Sequence, residues 1–372
     1  MNDALTKQVL DLAVEIQQIP APTFQEGARG AFVRARLGAE HLQDVTADAI
    51  GNVYARLPGL GRGRPLVVSA HLDTVFPAGS DLHLIRHTEK ISGPGIGDNS
   101  LGVAGLFGLL WAIRQNGHPL PGDIWLVANV GEEGLGDLCG MRAVVDRFRD
   151  EPLAYLVLEG MALGQIYNRG LGVRRYRIAA RTAGGHSWVD YGNPSAVHEL
   201  ARFASQLVIL PLPDKPRTTL NIGVVSGGFS VNTIAAQAQL ELDLRSEGPH
   251  ALASLVAQVE TMVEKANRPG VTFTGELIGS RPVGEISPHH PLVELALRCL
   301  KEADVQPYLN IGSTDANIPL SRGLPTICIG LTLGDGAHTL DEYITTRWLP
   351  KGLGQLVSLV LNLFEVYPDG FN

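Results

Sequence analysis

Cysteine is scarce, with three residues at 139, 299 and 328 in a chain of 372. An odd number at such wide spacing builds neither a disulfide framework nor a zinc knuckle, and it fits a reducing cytoplasm. Long apolar runs are missing as well. The longest uncharged one, Leu101 to Ile113, is too short to span a bilayer, and the N-terminal residues lack the basic-then-apolar order of a signal peptide. No membrane partner and a cytoplasmic location are therefore expected. Basic clusters are absent and the formal charge is −8, which argues against nucleic acid as a partner. There is no internal repeat and no low-complexity segment. What the chain does have is length and 45% hydrophobic residues, enough for two cores, so two domains are expected.

Glycine concentrates in one stretch, Ser92 to Gly105, with Asp98 at its centre and an apolar helix directly after it. Such spacing predicts a tight loop that presents Asp98 rigidly and exposed, with Asn99 or Ser100 as helix N-cap. The remaining chemistry-bearing residues follow strand-like apolar runs. Pro65 to Ala70 delivers His71-Leu72-Asp73, Asp123 to Val130 delivers Glu132-Glu133 between two glycines, and Leu153 to Leu158 delivers Glu159. His338 follows Gly336-Ala337. Strands alternating with helices, among them Asn2 to Gln18, Leu101 to Arg114 and Leu349 to Phe364, predict an α/β protein. Its mixed, mostly parallel sheet would be sandwiched by helices over residues 1–173 and 285–372, with the site at the carboxyl edge. Between them, over 174–284, the order strand-helix-strand-strand-helix-strand predicts an inserted ferredoxin-like α+β domain.

His71 and Asp73, two apart on a strand, face one side, so Asp73 can orient the imidazole of a metal-bound His71. Glu132 and Glu133 reach one site only across a turn, where one glutamate binds metal and the other takes the proton from a metal-bound water. Two metal ions about 3.5 to 4 Å apart need one shared carboxylate and roughly two further protein groups each. Asp98 as the shared group, His71 with Glu159, and Glu133 with His338 supply that number, and oxygen with imidazole donors suits zinc, with cobalt or manganese as substitutes.

In order and approximate spacing, His71-Leu72-Asp73, Gly95-Ile96-Gly97-Asp98-Asn99, Glu132-Glu133, Glu159 and His338 resemble the site motifs of the M20 metallopeptidases and amidohydrolases. The resemblance spans nearly the whole chain. It implies a hydrolase that cleaves an amide of a small peptide or N-acyl amino acid, with Glu132 as general base, Asp73 as supporting acid, a cis peptide after Asp98, and the inserted domain as a lid. It further implies that His186, in Gly185-His186-Ser187, stabilises the oxyanion, often in the partner subunit of a homodimer formed through the lid. Asn232 and Arg245 match lid residues that touch substrate. Gly312, Ser313 and Thr314 open a loop like that of peptidase T, where backbone N–H groups would receive an anion. The branches diverge at Glu159, because peptidase T relatives generally carry Asp there and carboxypeptidases and deacylases Glu. Two other classes compete: a nucleotide-binding protein, disfavoured because the glycine stretch lacks both the Gly-x-Gly-x-x-Gly register and a Gly-Lys-Ser/Thr ending, and a non-catalytic homologue, disfavoured because every ligand position is filled.

Overall fold

Apolar runs bounded by glycine and proline become the inner strands of a sheet. Leu66–His71 is buried along its whole length, Ile124–Asn129 and Tyr155–Glu159 nearly so, as expected of parallel strands covered on both faces. The structure, a computed structural model, describes residues 3–117 and 119–371; the expected helix start at Asn2 lies outside them. Two compact units emerge, Met1–Gly170 with Gly284–Asn372, and Leu171–Val283.

In the first unit, nine strands of the described residues form one mixed sheet. From one edge the order is Gln43–Ala47, Val53–Leu57, Ile124–Asn129, Leu66–His71, Tyr155–Glu159, Thr326–Gly330, Gln165–Gly170 and Gly284–Glu285, with Tyr308–Gly312 also pairing with Gln165–Gly170. The four central strands run parallel, which brings the carboxyl ends of Leu66–His71 and Tyr155–Glu159 to the same edge. Helices flank the sheet. Asp3–Gln17 buries Leu5, Val9, Leu12 and Ile16, the helical spacing seen in its sequence, and packs on Gly102–Asn116.

The stretch Ile96–Asn116 is apolar and long enough, at 21 residues, to cross a membrane by length and composition, but its apolar 18-residue window is 94% buried in the protein. Its apolarity is that of a core helix. Gly108 faces Val9 and Leu353, where a Cβ would come within 2.9 Å of each, so the glycine permits the close approach of neighbouring helices. Residues 334–345 and 85–92 form a separate small sheet in the order Gly334–Asp335, Tyr343–Thr345, Lys90–Ser92, Ile85–Arg86.

The second unit has four antiparallel strands in the order Thr218–Gly227, Gln237–Ser246, Gly172–Arg181, Thr272–Arg281, and the helices Ala196–Leu207 and Pro249–Ala266. Its core joins Ile178, Leu240, Leu242 and Leu244 from the sheet to Leu200, Phe203, Leu255 and Val259 from the helices. Every second residue of Gln237–Ser246 is buried, the period-two pattern of a sheet covered on one face. Thr218–Gly227 is an edge strand without a charged residue, and it leaves Val224 and Val225 exposed.

Candidate metal centre

Backbone direction places the first two donors. His71 and Glu159 are the last residues of parallel strands, in register with Asn129 and Gly330 of the adjacent strands. Both therefore stand at the carboxyl edge, where open α/β sheets carry their sites. Glu132 and Glu133 follow the Ile124–Asn129 strand on a turn whose glycines, Gly131 at φ +65° and Gly134 at φ +51°, take left-handed conformations. Both glutamates are buried.

Asp98 enters from the glycine-rich loop. Residues 96–101 wind as one wide turn broken at Asp98, and the Asp98–Asn99 peptide is cis. Two expectations are corrected here. The Asp98 carboxylate is only 17% exposed, since it is surrounded by its partners. Neither Asn99 nor Ser100 caps the following helix, whose N-cap is Leu101 without a side-chain bond. The Asn99 amide is needed elsewhere: its Nδ2 donates to the Leu158 carbonyl and its Oδ1 accepts from Gly160 N–H, satisfying buried backbone at the strand end that carries Glu159.

The two imidazoles divide Asp98 between them. His71 Nε2 lies 3.1 Å from Oδ1 and His338 Nε2 lies 3.2 Å from Oδ2. Glu159 Oε2 is 3.7 Å from His71 Nε2, and Glu133 Oε1 is 3.2 Å from His338 Nε2. Donor atoms of His71, Asp98 and Glu133 all fall within 4.8 Å of one another. The five residues form two halves, His71 with Glu159 and His338 with Glu133, joined by one carboxylate.

Electrostatics follow from burying three carboxylates together. Burial drives Glu133 and Glu159 up to about 7, partly offset by their histidines and reinforced by the charges of Asp98 and Glu132. Burial also acts upward on Asp98, but hydrogen bonds from His338 and His71 outweigh it and hold this carboxyl well below the usual range. His338 rises to about 10 through its hydrogen bonds to Asp98 and Glu133. His71 rises well above its ordinary value, because bonds to Asp73, Asp98 and Glu159 overcome its burial.

Asp73 is fully buried and does more than face His71. Its Oδ1 accepts from Glu132 N–H at 3.0 Å, and its Oδ2 accepts from Glu133 N–H and from Thr23 Oγ1, both at 2.9 Å. His71 Nδ1 lies nearer the Asp73 carbonyl, at 3.1 Å, than the carboxylate, at 3.5 Å. The carboxylate thus clamps the turn that carries both glutamates, while the carbonyl takes the larger share in orienting the imidazole.

The loop after Tyr308–Gly312 differs from expectation. Gly312 ends that strand, Thr314 N–H donates to Asn317 Oδ1, and Ala316 N–H donates to Thr314 Oγ1. Side chains have already taken these two donors, so the anion-receiving role is not available to the N–H groups of Thr314 and Ala316.

His186, Asn232 and Arg245 belong to the second unit. Gly185–His186 pairs with Thr233–Ile234, and Asn232 accepts from Ser187 N–H through its carbonyl, so His186 and Asn232 share one corner. His186 Nδ1 accepts from the N–H groups of Trp188 and Val189, which leaves the proton of the neutral ring on Nε2. Arg245 Nε is bound to Asp243 Oδ2 at 2.6 Å.

Several supporting residues carry no motif. Glu26 Oε1 accepts from Phe24 and Gly131 N–H, and the buried Arg29 donates to the carbonyls of Leu72 and Ile19. Asp315 directly follows the Gly312-Ser313-Thr314 loop, and its Oδ2 accepts from Asn129 Nδ2 at 2.6 Å. Glu342 is buried and accepts three backbone N–H groups of the Asp98 loop. Sequence shows each of these as one more acid or base in a polar stretch, and only the fold reveals its partners.

Comparison with known proteins bears on the family and the fold. A model of "Peptidase family M20/M25/M40" matches residues 67–362. An acetylornithine deacetylase of Pectobacterium carotovorum is 26% identical over 338 residues, 84% of this chain and 83% of its own. Among solved structures, a tripeptidase of Staphylococcus aureus superposes with a TM-score of 0.81 at 21% identity, covering 97% of this chain and 99% of that one. The YXEP protein of Bacillus subtilis, described as a dinuclear metal binding peptidase, superposes at 0.69 and 16% identity over 98% and 99% of the two chains.

Proposed function

The chain belongs to peptidase family M20/M25/M40, and from that premise we propose that it is a metal-dependent hydrolase cleaving an amide bond of a small peptide or an N-acyl amino acid. The observation that carries this is the sharing of Asp98 between two imidazoles, each with its own glutamate. Three carboxylates and two imidazoles meet there without a lysine or arginine among the described ion pairs, a donor set that two divalent cations would neutralise. His71 and Glu159 would hold one ion, His338 and Glu133 the other, and Asp98 both. Zinc suits the donors, with cobalt or manganese as substitutes. When bound, the ions supply Lewis-acid polarisation of the scissile carbonyl and lower the pKa of the attacking water.

The protein's own groups do the rest. Glu132, fixed through its N–H on Asp73, takes the proton from the attacking water and passes it to the leaving nitrogen. Fixing the backbone matters, because proton transfer needs hydrogen-bond reach at both stages. By the family resemblance His186 would present its Nε2–H to the developing oxyanion, and Asn232, Arg245, Gly312 and Ser313 would contact substrate. The second unit would serve as lid and as dimer surface, its uncharged edge strand Thr218–Gly227 pairing with a second copy. Three free thiols fit a reducing cytoplasm.

The test is a substrate panel: dipeptides and tripeptides, N-acetyl amino acids including N-acetylornithine, and C-terminally blocked analogues, each with zinc, cobalt or manganese. Turnover of at least one class, abolished by chelation and restored by metal, is expected. A protein with two bound ions that turns over none of them sinks the hydrolase assignment. Cleavage of blocked peptides would place it with aminopeptidases, and deacylation with the branch that Glu159 indicates.

A further inference from the structure

We propose that Glu342 is a positioning residue for the metal centre, stapling the loop that carries Asp98 to the segment that carries His338 and thereby setting the affinity for the ion on the His338 side. This rests on the metal-dependent function proposed above.

Glu342 lies four residues beyond His338 and is fully buried. Its Oε1 accepts from Gly97 N–H at 2.7 Å and Asp98 N–H at 2.8 Å, and its Oε2 accepts from Gly95 N–H at 2.8 Å. Its backbone carbonyl accepts from Gly93 N–H at 2.8 Å. One residue thus takes four N–H groups from a single six-residue loop. Gly95, at φ +71°, turns the chain so that these donors converge.

The same two segments are paired just beyond this point, since Tyr343–Thr345 runs antiparallel to Lys90–Ser92 with Tyr343 opposite Ser92. Strand pairing stops at Ser92, and the Glu342 side chain continues the connection as far as Asp98. The Asp98 loop has little room to adjust otherwise, because a Cβ at Gly97 would come within 2.6 Å of Met161 Cγ.

The two histidines depend on this connection unequally. His71 ends a buried central strand and is 2% exposed. His338 sits at φ +66° on a loop and is 54% exposed. Its 3.2 Å approach to Asp98 Oδ2 requires the 334–345 segment and the Asp98 loop to keep their register, and Glu342 joins them. Groups behind a metal ligand commonly change affinity by about 10- to 100-fold when removed.

The variant E342Q keeps the shape but places an amide NH2 against at least one backbone N–H, so one or two of the three side-chain bonds are lost, depending on which way the amide turns. Metal-stripped full-length chain would be titrated with cobalt, followed by visible absorption and calorimetry, with H338A marking the signature of the His338-side ion. Wild type should bind two ions. E342Q should bind one within about threefold of wild type and the other at least about tenfold more weakly, losing the band that H338A loses and recovering turnover as cobalt is raised. Two affinities within threefold of wild type, or two that fall equally, overturn the proposal. If E342Q does not fold by circular dichroism, E342D, which keeps the charge and shortens the reach, decides by the same criterion. A wild-type chain that takes up no ion overturns the hydrolase assignment itself, and the role of Glu342 with it.

Discussion

Glu132 and Glu133 are adjacent and chemically identical, yet a single buried carboxylate behind them holds their two proposed roles apart. Asp73 takes both of their N–H groups, one on each oxygen, so the turn cannot rotate to exchange the two side chains. Glu133 then faces His338, and its neighbour Glu132 is the glutamate proposed as general base. Replacing Glu132 with Gln should lower kcat by about 10²- to 10⁴-fold with metal content unchanged by elemental analysis; normal turnover would remove it from the mechanism. D73N sets an amide NH2 against a glutamate N–H whichever way the amide turns. A loss of about 1–3 kcal/mol is expected, read by chemical denaturation together with a drop in activity. Unchanged stability would show that the clamp is not in place. The residues that announced the site in sequence were those that end apolar runs, His71 and Glu159 above all. Glu342 and Asp73 hold parts of it through backbone N–H groups, and no residue pattern records which N–H a carboxylate will accept.

At the level of elements, periodicity was a good guide wherever burial was one-sided or complete. The expected helices Leu101 to Arg114 and Leu349 to Phe364 form as Gly102–Asn116 and Leu349–Val366. Cys139–Phe148 gave no comparable signal, because it follows a glycine-rich turn and a short 3₁₀ segment and carries Arg142, Asp146 and Arg147 among its apolar residues. Gln165–Gly170 and Tyr308–Gly312 pair with each other across the intervening second unit, and their polar residues look like loop until that partner is known. The edge strand Thr218–Gly227 is a different case. Native edges are usually guarded by charge, and this one offers Val225 at 65% exposure. Light scattering should find wild type as a dimer and V225K shifted towards monomer with its melting temperature little changed. A monomeric wild type would leave the strand without its proposed partner.

For the molecule as a whole, the metal centre should dominate how stability responds to pH and to chelators. In the chelated protein, Glu133 and Glu159 titrate near 7 against an ordinary 4.5, so the folded chain holds protons that the unfolded chain has released. Stability therefore falls as the pH climbs from about 5 to 7. His338, raised to about 10 from 6.5, acts in the same sense: its contribution is complete below about 6.5 and is lost as the pH rises towards 10. Asp98 works oppositely, but only below its ordinary 3.8, outside this window. The melting temperature of the chelated protein should accordingly decline from pH 5 to 9, while ions that replace those protons flatten the profile. A chelated protein that grows more stable over this range would contradict the assigned shifts. Restoring metal at a thousandfold excess over Kd should add about 4 kcal/mol per ion.

The order in which the chain is made adds a constraint on assembly. Tyr155–Glu159 must wait for Thr326–Gly330 to be its parallel neighbour, and His338 comes later still. A ribosome will have released the whole of Leu171–Val283 before either arrives. Loading of both ions is thus deferred until residue 338 has been made, and a fragment ending short of it would have at most half a centre to offer.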